Sequence, residues 1–534
     1  MVKGKENIVC IVRFKALLCC LLMGLSGLKA QYRNELQWGP LWEKTQPSEL
    51  LDMFGIDSSH FSTITFHGRK NASLVITTFE TESLTPVVSA QLSLPTVNDL
   101  APYYIEALSF AGSIYMIASV DDPQSEKVSI YAFRYNASLE CEGAPKLLGS
   151  MPRNVVLNNG VARLQRSTEG DFLVVLTSQE EIPQRNEKFK IGLFDAALQM
   201  VHEKELQLPY PMTEVRFGDL VVDEDQAVYL LISKDSERLK EVNKVQNAGR
   251  DHYLLSYSWA DNVMAEKALS IGVKWIYDAH MLINTQGHLQ VAGYFSNMVD
   301  VTMAGTFSVS FDRNNGAIVD QGLSPFDRAF KTQFRPVGNL QERPDLALFE
   351  TDLLLAKHNN EVMLLSEKRD LQSRTMFNPV TGSYYIVENY LLEELLVTSI
   401  SPSSKVRFNF KIPKFQVTVR NVADYSSFLA WSHDDDTFLV FNDHEKNFSL
   451  GLHSGSKYSA LSSPVNAQAV MYHIAPDGGL HKHALFNTSP KGCTLNPAFH
   501  YPMHDGVILY TIGSNGFQFA RVKLIKANTA IESE

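Results

Sequence analysis

The chain has 534 residues, 45% of them hydrophobic and 20% charged, with a formal net charge of −11 and a mean hydropathy of −0.11. That is enough apolar material for a large buried core, and it excludes collagen-like, coiled-coil and disordered chains. The acidic balance argues against nucleic-acid binding, which needs a basic stripe to neutralise phosphates.

At the N-terminus Lys3, Lys5, Arg13 and Lys15 precede the apolar run Ala16–Leu25, and Leu28-Lys29-Ala30 ends on a small residue. Basic, then apolar, then small is the order of a secretory signal peptide, and the run is too short to span a bilayer. A leader over 1–30 is therefore expected, with an exported mature chain that is periplasmic, outer-membrane associated or secreted. Cys19 and Cys20 lack the small preceding residue of a lipidation site. Only Cys141 and Cys493 lie beyond the leader. In an oxidising compartment they either pair or stand as separate thiols, and either way the fold rests on its core.

Helical periodicity is scarce beyond residue 30. What recurs is a short β-branched and aromatic run: His60–Phe66, Ser113–Ser119, Asp171–Ser178, Ala227–Ser233, His288–Ser296, Glu361–Ser366, Asp436–Asn442 and Gly506–Gly513. Several follow turn residues, among them Asp223-Glu-Asp225, Asn284-Thr-Gln-Gly287 and His504-Asp-Gly506. The spacing of roughly sixty residues signals a repeat architecture. Flanking runs repeat as well. Glu214–Val222 precedes one marked strand, and His252–Trp259 and Val263–Ile271 follow it, which makes four antiparallel strands per unit.

Four-stranded units repeated around an axis describe an all-β β-propeller, eight-bladed by this count and seven-bladed if one pair of units is misread. Two stacked β-sandwiches are the rival architecture. The last unit offers only three strands, Thr494–Tyr501, Gly506–Gly513 and Phe517–Ile525. The apolar segment Leu36–Trp42 near the N-terminus is expected to complete it. A single domain over 31–525 and a polar tail over 526–534 follow. One unit carries two over-long strands, which predicts a hairpin protruding near 368–390. Its Tyr384, Tyr385 and Tyr390 form a candidate docking surface, since tyrosine is enriched at interfaces; packing back onto the blade is the alternative.

With these units laid out, the chain resembles an uncharacterised family of large exported Bacteroidota proteins predicted to be β-propellers. The likeness is carried by Val221–Ser233, Leu282–Ser296, Gly305–Phe311, the 378–400 hairpin, Phe438–Asp443 and Ala467–Gly478 with its continuation to Leu524. It implies the propeller fold and an envelope or secreted location, and it supplies no catalytic residues.

Catalytic signatures are missing from the sequence. There is no P-loop, dinucleotide fingerprint or nucleophile elbow, and His202-Glu-Lys-Glu-Leu206 lacks the second histidine of a zincin. Neither a metal site nor a cofactor is expected. The aspartate-rich turns read as solvated turns, and His481 and His483, alternate residues of one strand, read as exposed. The channel mouth is the default ligand site of a propeller. Residues leading into innermost strands are the candidates there: Tyr210, Trp275, Tyr277, Asp278 and His500, with an aromatic beside a carboxylate suiting a sugar or peptide. The leading functional expectation is an exported scaffold for protein–protein interaction that is not an enzyme. The alternatives are a glycan-active hydrolase or lyase, and a sugar- or peptide-binding module without turnover.

Overall fold

The structure is a computed structural model that describes residues 32–526, apart from 44–47, 69–72, 155–161, 168–169, 237–249, 298–301, 335–345, 379–382, 420–423, 452–457 and 488–491. The expected leader and residues 527–534 lie outside the described residues. The chain forms an eight-bladed β-propeller. Blades 1 to 5 run 48–92, 103–152, 162–211, 215–268 and 275–325; blades 6 and 7 run 349–412 and 428–486. Blade 8 takes three strands from 494–526 and its fourth from Tyr32–Glu43.

The marked runs are the second strands of their blades, and their composition follows from their position. A strand with a sheet packed on each face reads as a continuous apolar run. All eight residues of Leu289–Ser296 and all six of Leu173–Ser178 are buried. The outermost strands, half in water, alternate instead, as in Ile318–Pro325. Each blade buries its faces against both neighbours. Eight apolar clusters result, one at each junction, from Ile64, Ile76 and Met116 between blades 1 and 2 to Phe61, Phe79 and Phe519 between blades 8 and 1. The last of these closes the ring.

The N-terminal strand completes blade 8 as expected. It pairs antiparallel with Gly516–Lys526 along its length, from Tyr32 opposite Lys526 to Trp42 opposite Phe517. Trp42 stacks on Phe517 at 6.5 Å and meets the edge of Phe79 at 5.9 Å. Lys526, placed in the tail by sequence, ends this last strand and pairs with Asp434. Cys141 and Cys493 are not joined in a disulfide.

Blade 6 holds the long hairpin. Val362–Asn378 and Ser383–Ile400 pair over their whole lengths. A short fifth strand, Gln416–Val419, joins the hairpin at Asn389–Leu392; it was not read from sequence. Nor was the one-turn helix Arg328–Lys331, which seats Phe330 among Phe326, Phe334 and Tyr294 between blades 5 and 6.

Candidate functional site

The first strand of each blade faces the axis, and those of blades 3 to 6 wall a cavity of about 910 Å³. A bulge re-aims side chains and frees backbone groups from the ladder. The inner strands of blades 1, 2, 4, 5 and 6 each break register once, at Leu50/Asp52, Tyr104/Glu106, Phe217/Leu220, Ile276/Asp278 and Thr351/Leu353. Each break has a carboxylate in it or at its edge: Asp52, Glu106, Asp219, Asp278 and Asp352.

Three of these carboxylates reach across to the next blade. The Ala107 N–H and the Tyr104 hydroxyl donate to Asp52 Oδ2 at 2.8 and 3.1 Å. Met281 N–H donates to Asp219 Oδ2 at 2.7 Å, and Thr351 N–H to Asp278 Oδ2 at 3.0 Å. They act as struts, each satisfying a backbone donor that the neighbouring inner strand leaves free. Gly293 permits the bulge at Asp278, because a Cβ there would meet the Asp278 carbonyl oxygen at 2.0 Å.

His280 sits between two struts, with Nδ1 3.2 Å from Asp219 and Nε2 3.5 Å from Asp278. Burial opposes its charge, but the two carboxylates outweigh burial and raise its pKa to about 10. Burial likewise pushes Asp278 up, yet bonds from His280 and Thr351 hold it below the usual carboxylate range. The imidazolium is thus a fixed positive charge in the cavity wall at neutral pH. Burial raises Asp352 to about 7 despite its contact with Arg369, and burial with nearby Asp52 raises Glu106.

The residues singled out by sequence do not converge on one point. Asp278 lies on the inner strand of blade 5 with both oxygens engaged, Oδ1 accepting from Ala279 N–H. Tyr277, one position earlier, turns into the blade 5–6 junction, where burial raises its pKa to about 12. Trp275 begins the same strand, half-buried. His500 is on the inner strand of blade 8, where burial lowers its pKa. Tyr210 lies at the rim, on the outermost strand of blade 3. Its hydroxyl donates to Glu266 at 2.6 Å on the outermost strand of blade 4, and Lys234 covers its ring at 4.0 Å. Sequence reading found Asp278 and missed the other four bulge carboxylates. Their signal is an acid that recurs a short way ahead of five of the marked strands.

At blade 6 the hairpin rests on a buried ionic cluster. Glu367 and Lys414, both fully buried, meet at 2.7 Å. Arg369 Nε and the Ser427 hydroxyl bond the other Glu367 oxygen at 2.9 and 3.0 Å. Lys414 also donates to Leu392 O and Gln416 Oε1. Beyond this base Leu371 and Ile386 stand 51% and 68% exposed. Tyr390 is half-buried opposite Leu371, in a cleft that also includes Glu350, Arg369 and Asp370. The side chains of Tyr384 and Tyr385 lie outside the described residues. Among the described residues no group of three or more His, Cys, Asp or Glu is placed to hold a metal, and no helix is long and apolar enough to cross a membrane.

No protein-family model matches the chain, and no curated protein matches it. Solved structures similar to it include polysaccharide lyase Uly1, at 8% identity and a TM-score of 0.36, covering 81% of this chain and 92% of that one. The β-propeller domain of the Trilobed protease from Pyrococcus furiosus is similar at 8% identity and a TM-score of 0.32, over 70% of this chain and 96% of that one. Drosophila Plexin A, solved with Semaphorin 1b, is similar at 8% identity and a TM-score of 0.32, over 91% and 88%. Likeness this partial says nothing of activity; the ring of eight blades stands on the sheet order and the junction clusters.

Proposed function

We propose that the protein is an exported β-propeller that serves as a protein-interaction scaffold in the cell envelope, with the blade 6 hairpin as its docking element. The observation that carries this reading is the hairpin itself. The first strand of blade 6 pairs only as far as Lys368, while the two hairpin strands continue to Asn378 and Ser383 with Leu371 and Ile386 in water. Apolar side chains left in water on a projecting element are within reach of a partner and gain by burial against one. The ionic cluster at the base fixes the direction of the projection, and a preorganised element loses less entropy on binding. Tyr384, Tyr385 and Tyr390 belong to the same proposed surface. The channel gives a glycan-active enzyme less support, because Asp52, Asp219 and Asp278 are engaged as struts between blades.

The test replaces 372–388 by a two-residue Asn-Gly turn, the turn that suits a tight hairpin. The intact chain is expected to retrieve a stoichiometric partner from envelope fractions. The shortened chain should melt as the intact one does and lose that partner. A partner retained by the shortened chain, or none retrieved by the intact chain, refutes the reading.

A further inference from the structure

Blade 3 breaks the charge pattern of the inner ring. Where five other inner strands each bring a carboxylate, Ala162–Arg166 brings Arg163 and Arg166 and no acid. The two side chains brace opposite neighbours. Arg163 Nη2 donates to Phe217 O of blade 4 at 2.8 Å, and Arg166 Nη1 donates to Ser109 O of blade 2 at 2.7 Å. A guanidinium has five N–H donors. Arg163 Nε is buried without a hydrogen-bond partner, and the Arg166 charge lies near enough to Glu106 to oppose the rise of that carboxyl's pKa. Both line the 910 Å³ cavity, with Gln165 and Ser167 beside them and Asp219 and Asp352 on the walls of blades 4 and 6. The arginines thus supply cationic donors on one wall, while the blade 4 wall supplies Asp219, the blade 5 wall the His280 imidazolium and the blade 6 wall Asp352.

We propose that this cavity binds a short acidic oligosaccharide, one uronate carboxylate held by Arg163 and a second by Arg166, with ring hydroxyls held by Gln165, Asp219 and Asp352. The volume lies in the range of ligand pockets, ~300–1,000 Å³. A small inorganic anion would leave most of it empty. A neutral sugar would leave two guanidinium groups unanswered. An acidic peptide would set further carboxylates against Asp219 and Asp352 with few donors to offer them. A uronate carries a planar carboxylate that suits the guanidinium fork and hydroxyls that donate to carboxylates. Arg163 and Arg166 stand apart from the proposed docking hairpin, which the cavity meets where Asp352 contacts Arg369, so the arginine variants can fail without that reading failing.

The experiment is calorimetric titration of the full chain with trigalacturonate, maltotriose and hexaglutamate. Trigalacturonate is expected to bind, more weakly as salt rises, while maltotriose and hexaglutamate give no saturable heat. Arg166→Gln should weaken trigalacturonate roughly tenfold or more, as expected for losing one charge-assisted contact, with the melting temperature unchanged because Arg166 is exposed. Arg166→Lys should recover part of the loss. Arg163→Gln tests the second cation; where that variant does not fold, Arg166→Gln decides. No saturable trigalacturonate binding at millimolar concentration, equally tight hexaglutamate binding, or wild-type affinity in Arg166→Gln each overturns the proposal.

Discussion

Blades 8 and 6 both depart from four consecutive strands, in opposite directions. Blade 8 is one strand short and takes the chain's other end; blade 6 has a strand too many and two that are too long. The means of holding them differ as well. The blade 8 seam is aromatic: Trp38 meets Phe486 at 4.9 Å, and Tyr32 sits edge-on to His433, Phe438 and His473 at 5.5–5.6 Å. The blade 6 extension is ionic, built on Glu367, Lys414 and Arg369. Closing a ring requires a contact large enough to offset loop entropy, and apolar burial over a long ladder supplies it without demanding fine geometry. Aiming a projection requires direction, which hydrogen-bonded charges supply.

The seam gives the largest expected effect. Removing 32–43 leaves Gly516–Lys526 as an unpaired edge and uncovers the clusters on both sides of blade 8. The expected outcome is loss of cooperative thermal unfolding, read by circular dichroism, together with aggregation through the open edge. A variant that still melts in a single sharp transition would mean that the ring closes without its N-terminal strand.

The ionic base should respond more sharply to a single atom. Lys414→Met leaves Glu367 buried with Arg369 as its remaining cation, a loss of about 1.5–3 kcal/mol for the missing charged contact, measured by denaturant unfolding. Pairing it with Glu367→Gln should recover much of that loss, because no buried charge is then left unmatched and the amide oxygen still accepts from Arg369 and Ser427. An additive double mutant would show that packing, and not charge pairing, holds the hairpin base.

These contrasts were unequally legible in the sequence. The second strands announce themselves because burial on both faces leaves uninterrupted apolar runs, so Asp171–Ser178 and His288–Ser296 could be read almost to the residue. The seam was legible for a related reason: three strands at the end of the chain and a spare apolar segment at its start complete one sheet. The inner strands were not legible as a site. Their bulges depend on register against a neighbour, and a lone acid such as Asp219 looks like any polar strand residue until the repeats are laid over one another. Tyr210 misled for the same reason. It precedes an inner strand in sequence, but chain direction carries its side chain to the rim. Glu367 and Lys414 are separated by a whole hairpin, and only the fold brings them together.

His280 lies between the two extremes, a single charge shared by struts of two blades. His280→Asn removes it and leaves Asp219 and Asp278 facing each other, at an expected cost of about 2–3 kcal/mol for a partly buried pair. The pH dependence gives the sign. The folded-state pKa, about 10, lies above the unfolded value of 6.5, so the stabilisation is complete below 6.5 and declines as pH rises toward 10. The gap between wild type and variant in denaturant midpoint should therefore be widest in mild acid and close in alkali. A gap independent of pH would show that the ring's shape, and not its charge, is what His280 contributes.

The smallest stability effect belongs at the tip of the comparison. Ile386 lies opposite Thr375 on the projecting part of the hairpin and is 68% exposed. Ile386→Ser should move unfolding by no more than about 0.5 kcal/mol, as for other exposed positions away from caps and cores. If the hairpin is the docking element, the same substitution should weaken retrieval of the partner, so that stability and binding separate at one residue. The seam cannot behave this way, since every aromatic there contributes to the ring it closes. A destabilisation of about 2 kcal/mol or more at Ile386 would mean that the hairpin packs as the seam does, and the division between a closing element and a projecting one would no longer hold.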